Sequence, residues 1–258
     1  MFYYDLVRGF KLIFGTVSEL FKNSPHSKEQ PLALSEAARL MLNRCSGLLF
    51  AKVLLQKPKL SEEDIDFITR NIAKAQLAIG DALLVQHQAY TSSVLKRKTL
   101  LTGLIARHIV PNLPNLGSTY LAGVEFKLHP FRKTSPRAEL LEKFNQVAQL
   151  ASEIWLTLEQ VRIGHFGTNL TDYALCNNNK CPEQPRWRNL AVNLKTFHRP
   201  GLVYPRQHLY NALAILLWDT EQIQKPSMLR FLQTELKTTA TDLPNLVFAY
   251  QKLWERFR

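Results

Sequence analysis

Two stretches of this chain set charged side chains beside apolar ones in a way that could do chemistry. Asn71, Lys74, Ala78, Asp81 and Val85 recur three or four residues apart, which places them on one face of a helix. Ile65, Ile68, Ile72, Ala75, Ile79 and Leu83 form an adjoining apolar face. Earlier in the chain Asn43, Arg44, Ser46 and Gly47 make a matching small and polar patch. Gly80 and Ala82 keep the neighbourhood small, so another backbone can approach. If the two helices cross there, Arg44 meets Asp81 and Lys74 projects nearby. Such a seam is either a buried ion-pair network holding two helices in register or one wall of an anion-binding cleft.

A second cationic set is spread over Arg186, Arg188, Lys195, His198, Arg199 and Arg206, with Trp187, Phe197, Tyr204 and Tyr210 interleaved. Arginines beside aromatic rings can bind phosphates and stack bases. The opposing interpretation is an ordinary core of aromatics under a wet charged face. Lys96, Arg97, Lys98, Arg107 and His108 add a smaller basic group.

Several chemistries are disfavoured by what the sequence lacks. It contains no Gly-rich loop ending in Lys-Ser/Thr, no Gly-x-Ser-x-Gly and no His-Glu-x-x-His. Arg and His do not occur at the spacing of a helical ribonuclease. Asp64-Ile-Asp66 resembles a magnesium-binding acid pair, but it follows Ser61 at a helix start, where capping and the helix dipole account for it. Cys176 and Cys181, with His165 and His198, match no common zinc spacing, so no metal is expected. Nothing points to a cofactor.

The surrounding elements read as mainly α. The chain has 258 residues, 46% hydrophobic, with only 10 glycines, which disfavours a turn-rich β fold. Its net charge of +12 favours anionic partners. No apolar run reaches the about 20 residues that a bilayer requires. The N-terminus does not resemble an export signal, and three cysteines cannot all pair internally. A soluble cytoplasmic protein with reduced thiols and no membrane partner is therefore expected.

Periodicity predicts helices over about 34–56, 61–87, 93–109, 135–163, 186–197, 205–219, 227–237 and 244–257. Residues 111–130, with Pro111, Pro114, Gly117 and Gly123, read as irregular. The expected organisation is a strand remnant or short β-hairpin over 1–21, then a helical bundle over 32–163. A polar loop over 164–185 leads to further helices over 186–258, packed on the same bundle.

Leu42-Asn-Arg-Cys-Ser-Gly-Leu-Leu49, Ala73-Lys-Ala-Gln-Leu-Ala-Ile-Gly-Asp-Ala-Leu-Leu84, Tyr90-Thr-Ser-Ser93 and Arg97 resemble the helical C-terminal region of bacterial nucleotidyltransferase-domain proteins of the polymerase-β-like superfamily. The likeness covers roughly residues 2–160 and is densest over 40–97. It implies that Asn43, Arg44, Lys74, Asp81, Tyr90 and Arg97 face a nucleotide or another phosphate-bearing ligand. On this view Arg44 and Arg97 contact phosphate, and Asp81 orients Arg44 or a ligand hydroxyl. Residues 5–15 would be the last strands leaving a catalytic domain, whose Gly-Ser turn and metal-binding acids this sequence lacks. The resemblance therefore implies a noncatalytic domain, truncated or serving a separate catalytic chain that pairs with the N-terminal strand edge. The alternative is a basic helical module binding nucleic acid or protein through Arg186, Arg188, Lys195, Arg199 and Arg206.

Overall fold

The computed structural model describes residues 1–10, 13–14, 31–130, 135–197 and 200–257. Among these it contains eleven α-helices and no strand. In chain order they are α1 (Phe2–Gly9), α2 (Leu34–Leu54), α3 (Glu62–Gln86), α4 (Val94–Ala106), α5 (Leu116–Leu128), α6 (Arg137–Ile163), α7 (Leu170–Leu175), α8 (Arg186–Phe197), α9 (Arg206–Leu213), α10 (Pro226–Leu236) and α11 (Leu243–Phe257). A π-helical turn over Ala214–Trp218 and a 3-10 turn over Thr220–Gln224 join α9 to α10.

The expected β remnant is corrected by α1. Its aromatic, β-prone residues form a helix because Tyr4 and Val7, three apart, bury together on one side. The Tyr4 ring meets the Tyr90 ring edge-on at 5.8 Å. Tertiary packing thus overrides local propensity. The remainder of the expected remnant, residues 11–12 and 15–21, lies outside the described residues, and Ile13 and Phe14 belong to no strand.

Helix α3 is the axis of the fold. Ser61 Oγ accepts a hydrogen bond from the Asp64 N–H at 3.2 Å, and Asp64 accepts one from the Ser61 N–H at 3.1 Å. This reciprocal cap, with Lys57 on Asp64 at 2.8 Å, accounts for the acid pair at the helix start. Helices α2, α5 and α6 pack against α3. Residues 116–128, expected to be irregular, form α5 because Gly123 lets it lie against α3. A Cβ there would stand 2.5 Å from the Leu77 nitrogen.

The C-terminal helices join the same core. Trp155 on α6 packs against Tyr173, Tyr210 and Trp218, and Trp218 Nε1 donates to the Ala148 carbonyl at 2.8 Å. On α2, Ser46 shares a 2.7 Å hydrogen bond with Tyr250 of α11. The expected polar loop 164–185 is more structured than its composition suggests: it contains α7 and buries Phe166, Tyr173, Lys180 and Cys181. Among the described residues no helix is long and apolar enough to cross a membrane.

Candidate functional site

The polar patches of α2 and α3 do meet. Gly47 makes the contact possible, since a Cβ there would fall 2.2 Å from Asn71 Oδ1. Beside this crossing opens a cleft of about 360 Å³, and Asn43, Arg44, Lys74, Asp81, Tyr90 and Arg97 all line it. Its remaining walls include Asp5 of α1, Glu36 and Arg39 of α2, Leu77 of α3 and Lys127 of α5. Glu36 and Arg39 extend the α2 stripe back from Asn43 at helical spacing, a signal present in the sequence.

The expected pairing of Arg44 with Asp81 is corrected. Asp81 Oδ2 accepts from Arg97 Nη1 at 3.0 Å, and Oδ1 accepts from the Tyr120 hydroxyl at 3.0 Å. Both Asp81 and Arg97 are buried. Gly80 seats the Tyr120 ring, because a Cβ at that position would lie 2.2 Å from it. The small residues of α3 therefore admit an aromatic side chain at Gly80, while the close backbone approach occurs at Gly123.

Arg97 also stands over the Tyr90 ring at 4.7 Å and donates from Nη1 to the Tyr90 hydroxyl. That hydroxyl donates in turn to both Asp5 oxygens at 3.0 Å. Five side chains from four helices and one loop thus form a continuous chain, Asp5–Tyr90–Arg97–Asp81–Tyr120. Burial pushes the Asp81 carboxyl up to about 6, with Arg97 and the Tyr120 hydroxyl opposing the rise. Burial also raises Asp5 above the usual carboxylate range, against the Tyr90 bond and the field of Arg97.

Arg44 and Lys74 differ from Arg97. Neither has a hydrogen-bond or ion-pair partner within reach among the described residues, although the more distant Asp81 charge favours the Arg44 cation. Burial lowers the Arg44 guanidinium. Burial, then Arg44 and Arg70, lower the Lys74 amine. Across the whole cleft five cationic side chains and the Met1 amino group, which pairs with Glu36 at 2.6 Å, face three carboxylates, an excess of three positive charges. Arg39 carries a 2.7 Å ion pair to Glu36, and Arg97 carries the pair to Asp81. The free positive potential therefore sits at Arg44, Lys74 and Lys127.

Arg39, Asn43, Arg44 and Lys74 also border a second space, a groove of about 1240 Å³ between α2, α3 and α11. Phe50, Val53, Phe67, Val247, Phe248 and Trp254 supply its apolar lining. The two spaces share these four residues as walls.

The second cationic set is divided. Arg186, Arg188 and Lys195 are exposed on α8, with Trp187 73% exposed among them. Arg206 is buried instead, donating to the Phe257 carbonyl at 2.9 Å, and Tyr204 and Tyr210 belong to the core. Arg199, His198 and the Phe197 side chain lie outside the described residues.

Another buried network closes the bundle near α7. Arg162 grips Glu159 with two hydrogen bonds of 2.8 and 2.5 Å, and Tyr173 donates to Glu159 at 2.9 Å. The wholly buried Lys180 donates to Asn211 at 2.6 Å and lies 4.6 Å from the centre of the Tyr173 ring. Cys176 donates to the Tyr173 carbonyl at 3.2 Å, and burial raises the Cys181 thiol to about 12. Among the described residues no three His, Cys, Asp or Glu side chains are grouped to hold a metal ion. No protein-family model matches this chain, and no curated protein or solved structure does so.

Proposed function

We infer that the chain is a noncatalytic helical domain related to those that accompany nucleotidyltransferases, holding a nucleotide or another phosphate-bearing anion in the cleft between α2 and α3. The observation that carries this reading is the pair Arg44 and Lys74. Burial and then the nearby Arg44 charge weaken the hold of Lys74 on its proton, and neither side chain has a carboxylate at bonding distance. A phosphate placed between them relieves that repulsion. The planar fork of Arg44 suits a phosphate bidentately, and Lys74 and Lys127 act as point charges. Arg97 is committed to Asp81 and positions Tyr90. Asp81 orients Arg97, not Arg44.

The domain binds and positions its ligand, while a separate catalytic chain would supply the metal-holding acids that activate it. Residues 2–9 are helical and offer no strand edge, so such a partner docks by another surface. Calorimetric titration of the chain with ATP and with pyrophosphate tests the reading. Arg44→Ala and Lys74→Ala each weaken binding about tenfold or more, the worth of one charge-assisted hydrogen bond. Undiminished affinity in Arg44→Ala refutes it.

The exposed Trp187, flanked by Arg186 and Arg188, favours a second reading, nucleic-acid binding on α8. In that case affinity for oligonucleotides falls steeply with salt and drops in Arg186→Ala/Arg188→Ala, while Arg44→Ala leaves it unchanged.

A further inference from the structure

The cleft accounts for an anionic head but leaves the larger groove without an occupant. At about 1240 Å³ the groove exceeds the roughly 300–1,000 Å³ that encloses a drug-sized ligand. Its lining is chiefly hydrocarbon and aromatic, and Phe248, 56% exposed, stands at its rim. Two of its amides donate within the protein. Asn71 Nδ2 donates to the Phe67 carbonyl at 2.8 Å, and Gln251 Nε2 donates to Glu255 at 2.9 Å. Along Phe50, Val53, Phe67, Val247 and Phe248 a nucleobase edge would find no hydrogen-bond partner. A hydrocarbon needs no such partner.

We propose that the site takes a phosphate-headed amphiphile, its dianionic head among Arg44, Lys74 and Lys127 and its long apolar tail along the groove between α2, α3 and α11. This rests on the phosphate-binding reading above and narrows it from nucleotides to alkyl or prenyl phosphomonoesters. The charge is complementary, because a phosphomonoester carries about −1.5 to −2 at neutral pH and would meet Arg44, Lys74 and Lys127, which no carboxylate holds at bonding distance. The shared walls of the two spaces fit as well. Arg39, Asn43, Arg44 and Lys74 border both, so a ligand held at these residues can place its head on the cleft side and its tail on the groove side.

The test is calorimetric titration of the full chain with pyrophosphate, ATP, and hexyl, octyl and decyl phosphate below their aggregation concentrations. Each added methylene tightens binding about three- to fourfold. Phe248→Glu flattens that dependence and leaves pyrophosphate binding intact. Arg44→Ala weakens every phosphate probe about tenfold, and Lys74→Ala, at an exposed position, does the same should the first variant fold poorly.

Pyrophosphate binding with no dependence on chain length overturns this proposal and leaves the phosphate reading standing. Failure of all the phosphate probes removes both. ATP binding more tightly than decyl phosphate, and weakened by Phe248→Glu, assigns the groove to a base and overturns the amphiphile. Equal binding of decanoate or of a neutral decyl glycoside overturns the assignment of a dianionic head.

Discussion

Gly80→Ala tests the arrangement that holds Asp81. The added methyl would stand 2.2 Å from Tyr120 Cδ2, 2.5 Å from Cε2 and 2.6 Å from Leu101 Cδ2. Carbon atoms rest at about 3.5–4.0 Å, so the Tyr120 ring must move by more than about 1 Å. That movement removes the 3.0 Å hydrogen bond from its hydroxyl to Asp81. Overpacking costs about 1–3 kcal/mol, and losing a hydrogen bond to a buried charge costs about 1.5–3 kcal/mol. Better helix propensity returns about 1 kcal/mol. The net expectation is a destabilisation of about 3 kcal/mol, measured by urea unfolding. Tyr120→Ala, although costly by itself, removes the ring and leaves room for the Leu101 side-chain end to swing clear of the methyl. In that background Gly80→Ala becomes neutral or stabilises by up to about 1 kcal/mol. The double-mutant cycle should therefore show a coupling near 3 kcal/mol. Additive effects, or a Gly80→Ala protein as stable as the parent, would refute the idea that this glycine seats the ring.

Other outcomes follow from the buried charges. Asp81 titrates near pH 6 and faces Arg97, Tyr120, Tyr90, Asp5 and Arg44. Sulfate keeps a constant charge over this range, so its affinity should rise as pH falls from 7 to about 5 and Asp81 is neutralised. Asp81→Asn should abolish most of that trend, and an unchanged profile in the variant would exclude Asp81 as its source. Lys52 donates to the Leu217 carbonyl at 2.7 Å and to Thr220 at 3.3 Å, and burial lowers its amine to about 8. The unfolded chain holds that proton up to about 10.5, so folding stability should rise between about pH 8 and 10.5. The rise should reach about 2–3 kcal/mol after discounting for partial exposure, and Lys52→Met should remove it, as read by denaturant titration at each pH.

Much of the fold is legible in the sequence because local signals agree with packing. The Ser61 cap, the isoleucine stripe of α3 and Lys57-Pro58 after α2 each act within one element. The bounds of α8 are found to the residue for the same reason. What escapes is set by distant partners. Tyr4 and Val7 look like strand residues until Tyr90 is placed beside them. Gly123 looks like a helix breaker until the Leu77 backbone is seen against it. The composition of 164–185 suggests solvent, but Tyr173 and Asn211 give Lys180 a buried seat.

The same division runs through the cleft. Its α2 and α3 residues can be gathered from spacing on two helices, but their pairing cannot. Arg44 is nearer to Asp81 in the two-helix picture. Arg97 reaches it only because the turn after α3 brings α4 back alongside.

The chain of contacts from Asp5 to Tyr120 has a consequence for how the molecule would register an occupant. Arg97 Nη1 serves both Tyr90 and Asp81, so it cannot turn toward a newcomer without releasing at least one of them. Tyr90 is the latch on Asp5. An anion that drew Arg97 away would slacken the first helix at one end of this circuit and the seat of Tyr120 at the other. Occupancy of a small space would thereby be broadcast to segments more than a hundred residues apart in sequence.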